Sequence, residues 1–367
     1  MTTNGPSRQD GITSARAVGA GLLLAFFLSG AASLIHEVVW TRLLRLVMGN
    51  TTLAIATVLS VFMAGLALGS FLGGRWIGRR EDPLRVYAAL EVAIGLYALA
   101  LPWLIAGTEP IYRAIFQSLQ PSFFVLSLIQ FLFCGVLLLV PATLMGATLP
   151  VLARFFVRTP DRIGWSVGML YAVNTFGAVA GVASTGFLLI PTLGVSRTIW
   201  FASLLNLVAA AVGYGLHRST RSLPPISAEE SASPDAAGTA PTGPSYGNAA
   251  LNALLLGYAL SGFAALVYEI AWTRVLTLMI GSSVYAFSMM LTAFILGLAA
   301  GSFAFARHVD RIRDPMRALT SYRVCKESTL TVYLRQQAGP PAQQQAGLPA
   351  QQQAGQAELA QQQPQQQ

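Results

Sequence analysis

The chain has 367 residues, 23 of them Lys or Arg and 15 Asp or Glu, for a net charge of +8. Hydrophobic residues make up 54% of it and charged residues 10%, against about 25% charged in a soluble domain, and mean hydropathy is +0.57. These proportions exclude an ordinary soluble enzyme. The Arg residues cluster at the ends of alternate apolar blocks, as the positive-inside rule predicts, so the positive charge points to a membrane and no nucleic acid is expected as a partner.

Residues 1–17 are polar, with Gly, Pro and Ser, and are expected to be a disordered cytoplasmic N-terminus. The first apolar block, residues 18–48, is longer than the ~20 residues that one crossing needs, and Ser29-Gly30 offers a bend within it. Arg8, Arg16 and the small residues Ser29 to Ser33 resemble a secretory signal. The same segment recurs in mid-chain, so it is read as an uncleaved span.

The second block, residues 53–77, follows an uncharged turn at Gly49-Asn50-Thr51. Arg75, Arg79, Arg80 and Arg85 mark a cytoplasmic loop after it, where Pro83 breaks the helix. The third block is residues 86–106, followed by an exterior segment with Glu109, Pro110 and Arg113. The fourth, residues 123–156, contains Pro141 and Pro150 and is expected to be kinked or broken, with freed carbonyls available to line a cavity. A second basic loop, Arg154, Arg158 and Arg162, leads to the fifth block at residues 163–190, closed by Pro191 and Gly194. The sixth, residues 199–216, ends at His217 and Arg218.

Residues 218–248, rich in Ser, Pro, Ala and Gly, form a flexible cytoplasmic linker. Two further blocks follow at about residues 250–280 and 284–306. From residue 320 to 367 the chain turns into a low-complexity tract of Gln, Ala, Gly and Pro that cannot bury enough surface to fold.

The sequence repeats itself. Residues 22–85 match 254–317 without a gap, at a constant offset of 232 that carries Ser29 to Ser261. Ser29-Gly30, Glu37, Trp40, Thr41 and Arg42 recur as Ser261-Gly262, Glu269, Trp272, Thr273 and Arg274. Gly65, Gly69 and Ser70 recur as Gly297, Gly301 and Ser302. Repetition of this length describes architecture. It predicts a first repeat of six helices over residues 18–217 and a second, over 249–319, of two. The tail from residue 320 is then expected to replace a lost C-terminal portion.

Glu37, Arg42, Glu269 and Arg274 come first as candidate site residues. A charge at the bilayer centre costs on the order of 3 kcal/mol, so such residues face protein or water. Five residues apart on one helix, Glu37 and Arg42 lie about 140° apart around the axis. Packing of the halves about a pseudo-two-fold axis would pair Glu37 with Arg274 and Glu269 with Arg42; the competing expectation is that the Arg side chains snorkel to headgroups. Thr41 and Thr273 share the carboxylate faces. Asn174 is expected to hydrogen-bond between helices. Gly65, Gly69 and Gly73, with Gly177, Gly181, Gly297 and Gly301, form small-residue stripes that let helices approach closely.

His36, His217 and His308 lack partners at metal-ligand spacing, and Cys134 and Cys325 make neither a disulfide framework nor a metal site. No Gly-x-Gly-x-x-Gly follows a strand and no phosphate loop occurs. No catalytic residue, metal or cofactor is therefore assigned.

The paired motifs Ser29-Gly30…Glu37-Val38-Val39-Trp40-Thr41-Arg42 and Ser261-Gly262…Tyr268-Glu269-Ile270-Ala271-Trp272-Thr273-Arg274 resemble the membrane domain of bacterial fused spermidine-synthase-like proteins. So do Gly65-Leu66-Ala67-Leu68-Gly69-Ser70, the segment 141–150, and Tyr171-Ala172-Val173-Asn174-Thr175-Phe176-Gly177. The resemblance covers about residues 20–320. It implies an all-α polytopic membrane protein with a major-facilitator-like repeat and about eight transmembrane helices, six plus two. It also implies a multi-pass protein of the bacterial inner membrane with both ends cytoplasmic, whose partners are the lipid bilayer and a polyamine or a separate aminopropyltransferase-like domain. The Gly-rich loop and acidic residues of that family's enzymatic half have no counterpart here, so the chain alone is expected to anchor or to bind a polyamine rather than to catalyse. The alternatives are a secondary transporter of a small cationic solute and a non-functional fragment.

Overall fold

The structure is a computed structural model, and it describes residues 8–48, 51–77, 82–120, 122–156, 163–221, 247–281 and 283–307. The turn at Gly49-Asn50, the basic residues Arg79, Arg80, Arg158 and Arg162, most of the linker, His308, Cys325 and the tail from 320 lie outside them.

Every element is helical: α1 (Arg8–Met48), α2 (Thr51–Ile77), α3 (Pro83–Leu119), α4 (Phe123–Phe156), α5 (Ile163–Ser184), a π-helical turn (Thr185–Leu189), α6 (Ile190–Arg221), α7 (Asn248–Ile280) and α8 (Ser283–Ala306). In hydrocarbon each backbone N–H and C=O must be satisfied within the protein, which leaves the helix as the only economical state for long apolar runs. Seven helical stretches are long and apolar enough to cross a membrane, which fits a multi-pass membrane protein. One of them, Trp165–Thr220, is 56 residues, far beyond the length of a single crossing, and Gly194 interrupts it with φ 75° and ψ 176°.

Several local expectations differ from what is observed. Helix α1 begins at Arg8, within the segment expected to be disordered, and runs through Ser29-Gly30 as one continuous helix. Helix α3 continues past Ala106 to Leu119, carrying Pro102 and Pro110 inside it. Glu109 and Arg113, in the segment expected to be exterior, are thus one helical turn apart, with Arg113 donating to Glu109 at 2.5 Å.

Helix α4 also runs unbroken through Pro141 and Pro150. A proline has no N–H for the carbonyl four residues back, which frees Leu137 O and Gly146 O. Both are met from neighbouring helices: Tyr97 of α3 donates to Leu137 O at 2.9 Å and Ser70 of α2 donates to Gly146 O at 3.0 Å. The freed carbonyls are joints between helices, and this is why the helix survives.

Helix α1 is the hub, packed against α2, α5 and α6; α2 lies along α4, α3 along α6 and α4, and α8 along α5. Close approach is permitted by glycine. A Cβ on Gly69 would collide with Thr143 O of α4, and one on Gly177 or Gly181 with the Phe27 or Ala31 carbonyl of α1. Asn174 of α5 adds a hydrogen bond to Phe26 O of α1 at 3.1 Å. Helix α7 rests on α8 and touches α2, leaving most of its surface exposed.

Candidate functional site: a buried polar interior

Helix geometry sorts the polar residues of α1 onto two faces. At about 100° per residue, Ser29, His36 and Trp40 fall within one narrow stripe, while Glu37 and Thr41 lie roughly a quarter turn or more away.

The first stripe enters a chain of hydrogen bonds between three helices. Ser29 Oγ donates to Glu91 Oε1 of α3 at 2.6 Å, and Asn206 Nδ2 of α6 donates to Glu91 Oε2 at 2.8 Å. With its amide nitrogen committed to Glu91, Asn206 presents Oδ1 to His36 Nε2, 3.2 Å away. His36 must therefore donate from Nε2. Its Nδ1 has no hydrogen-bond partner, and its ring stacks on Trp40 with centroids 5.3 Å apart. Tyr87 closes the cluster by donating to Ala25 O at 3.1 Å. Ser29, His36, Glu91 and Asn206 are all buried.

The second face carries the repeated carboxylate. Glu37 is 1% exposed and Glu269 of α7 is 2% exposed. Each has an Oε1 without a hydrogen-bond partner, and the two groups are near enough for their charges to act on one another. Thr41 donates to Glu37 O at 2.9 Å and Thr273 to Glu269 O at 2.8 Å, the same local bond in both copies.

Neither cross-repeat ion pair is formed. The ion pairs among the described residues include Glu109–Arg113 and a contact of 3.9 Å between His217 and Asp82. Arg42 is half-buried beside Thr41, Arg45, Val284 and Phe287, and Arg274 is exposed beside Thr52, Ile55 and Thr277. The five-residue spacing turns each guanidinium away from the carboxylate of its own helix.

Two buried carboxylates with unfilled oxygens in an apolar bundle lack solvation, and charge on one disfavours charge on the other. A cation between them removes both penalties. The interior also holds Trp40 Nε1, Ser203 Oγ and Ser288 Oγ, each buried without a partner.

Sequence reasoning named Glu37, Glu269, Arg42, Arg274, Thr41, Thr273 and Asn174 as candidates, and did not name Glu91 and Asn206. Their signal was present: Glu91 is the one acidic residue of the apolar run 86–106, and an ionisable group inside a spanning segment is by itself a functional candidate.

A bundle of long apolar helices with carboxylates in its interior defines the class: a multi-pass membrane protein with a polar core. The chain is similar to polyamine aminopropyltransferase 1 of Streptomyces coelicolor, 28% identical over 194 residues. The matched stretch is 52% of this chain and 33% of that protein, so the chain spans about one third of the length of the relative it matches. No protein-family model and no solved structure matches it.

Proposed function

We propose that this chain is the membrane-embedded module of a spermidine-synthase-like protein and that Glu37 and Glu269 receive the ammonium groups of a small aliphatic amine. The single observation that carries this reading is that both equivalent carboxylates are buried, each with an unpartnered oxygen. An ammonium brings three N–H donors and a positive charge, which suits two acceptor-only groups in a low dielectric. A polyamine adds alkyl segments that suit the apolar walls.

In this reading α5 and α6 are separate crossings divided at Gly194, which makes eight spans, and the bundle follows a major-facilitator-like repeat. Both ends lie in the cytoplasm of a bacterial inner membrane, so that the module presents amine at the face where a separate aminopropyltransferase-like domain works. The similarity to a polyamine aminopropyltransferase supports the amine as the ligand class.

Equilibrium binding of spermidine to the full chain in nanodiscs tests the proposal. The expected result is saturable binding that Glu37→Gln or Glu269→Gln weakens about tenfold or more, the loss of one charge-assisted contact. Absence of binding, or binding indifferent to both substitutions, refutes it.

A further inference from the structure

The hydrogen bonds around Glu91 play no part in the amine reading, and they have a chemistry of their own. A carboxylate buried in a spanning segment is costly unless its charge is matched or removed. Glu91 is 0% exposed, and the side chains that bond it, Ser29, Asn206 and Tyr87, carry no charge. A proton on the carboxyl group removes the cost.

The directions of the bonds show where that proton fits. Asn206 gives its Nδ2 to Glu91 and its Oδ1 to His36, so Oε2 of Glu91 accepts whether or not the group is charged. Oε1 faces a hydroxyl, which accepts as readily as it donates. A proton on Oε1 reverses the 2.6 Å bond, and Glu91 then donates to Ser29 Oγ. Ser29 in turn has the carbonyl one turn back, Ala25 O, as the usual alternative acceptor of a helical serine; Tyr87 bonds the same carbonyl. His36 is the poorer place for the proton, because a hydrogen on its Nδ1 would meet no partner. Both oxygens of Glu91 face hydrogens, which leaves little for a metal ion, and among the described residues no group of three His, Cys, Asp or Glu could hold one.

We propose that Glu91 is a reversible proton-binding site, with the proton held on Oε1 in a hydrogen bond to Ser29 Oγ. Binding takes a proton from water and turns the carboxylate into a neutral acid, and no other covalent bond forms or breaks. The junction of α1, α3 and α6 thereby changes its charge by one while each hydrogen-bond partner stays in place. Among the described residues, the titratable groups that face Glu91 are Tyr87 of α3 and, through Asn206, His36 of α1; Glu37 lies on the other face of α1. Helix α6 brings Asn206, which does not titrate. Further along α6, Gly213 packs on the Tyr87 ring, and His217, one turn beyond it, lies 3.9 Å from the exposed Asp82; these are the titratable groups next in line toward water. The site does not depend on the amine-binding reading.

Infrared difference spectroscopy of the full chain in nanodiscs tests the site, with the wild type, Glu91→Gln and Ser29→Ala compared across pH. Glutamine reproduces the protonated form, since its amide donates to Ser29 and accepts from Asn206, so Glu91→Gln is expected to fold. The expected result is a carboxylic-acid C=O band that the wild type shows and Glu91→Gln lacks, that shifts in D2O, and that fades reversibly as pH rises. Ser29→Ala is expected to move this band to higher frequency, the mark of a lost hydrogen bond, and this arm stands even where Glu91→Gln does not fold. Absence of the band at every pH at which the chain stays folded means a fixed carboxylate and overturns the proposal. A band that pH leaves unchanged over that range is a permanent structural acid and overturns it too. So does a band that Ser29→Ala does not move, which places the proton elsewhere.

Discussion

Asn206 stands between His36 and Glu91, accepting from the imidazole at 3.2 Å and donating to the carboxylate at 2.8 Å. One amide thereby fixes the orientation of two ionisable groups on two other helices. Because its nitrogen can face only one of them, the direction of the whole chain follows from Glu91 being the acceptor.

Removing that amide strands a buried donor and a buried acceptor together. Asn206→Leu is expected to destabilise the folded chain by about 1–3 kcal/mol, the range for interhelical bonds in membranes and for groups left unsatisfied. Ser203 lies one turn away on the same helix, and its hydroxyl has no partner, so Ser203→Ala is expected to be neutral or slightly stabilising. Thermal unfolding of the two variants in the same micelles checks the contrast.

The proline carbonyls make a second test. Tyr97→Phe leaves Leu137 O without its donor and is expected to lower stability by about 1 kcal/mol. Pro141→Ala restores an N–H in register with that carbonyl. In the Pro141→Ala background, Tyr97→Phe is therefore expected to have a smaller effect, and a double-mutant cycle by denaturant unfolding measures the difference.

A third contrast concerns the two glycine stripes. Gly69→Ala forces a methyl group into the backbone of α4 and is expected to cost about 1–3 kcal/mol, as overpacking does. Gly301→Ala places the same methyl in free space and is expected to gain up to about 1 kcal/mol from helix propensity. Equal effects at the two positions, read by unfolding in detergent, would show that the packing of α2 and α8 does not differ as described.

How legible this molecule was in its sequence depended on whether a feature is local or relational. The helices follow from apolar length, and the close contacts at Gly65, Gly69, Gly177 and Gly181 follow from spacing of four. The unbroken course of α4 was not legible, because Pro141 and Pro150 are tolerated only through Tyr97 and Ser70, residues on other helices whose register no local pattern fixes. The same holds for the surroundings of Glu37. The repeat located both carboxylates and both guanidiniums, but which of them meet depends on the rotation of α7 against the bundle. Glu91 was legible as a lone acidic residue in an apolar run; its partnership with Ser29 and Asn206 was not.

The proposed amine site rests on Glu37 and Glu269 acting together. The most direct measurement is the spermidine dissociation constant of the full chain in nanodiscs for the wild type, Glu37→Gln, Glu269→Gln and the double variant. If one ligand spans both carboxylates, each single substitution costs about tenfold or more and the double variant loses markedly less than the product of the two. Losses that multiply independently, or a change confined to one of the two residues, would contradict a shared site.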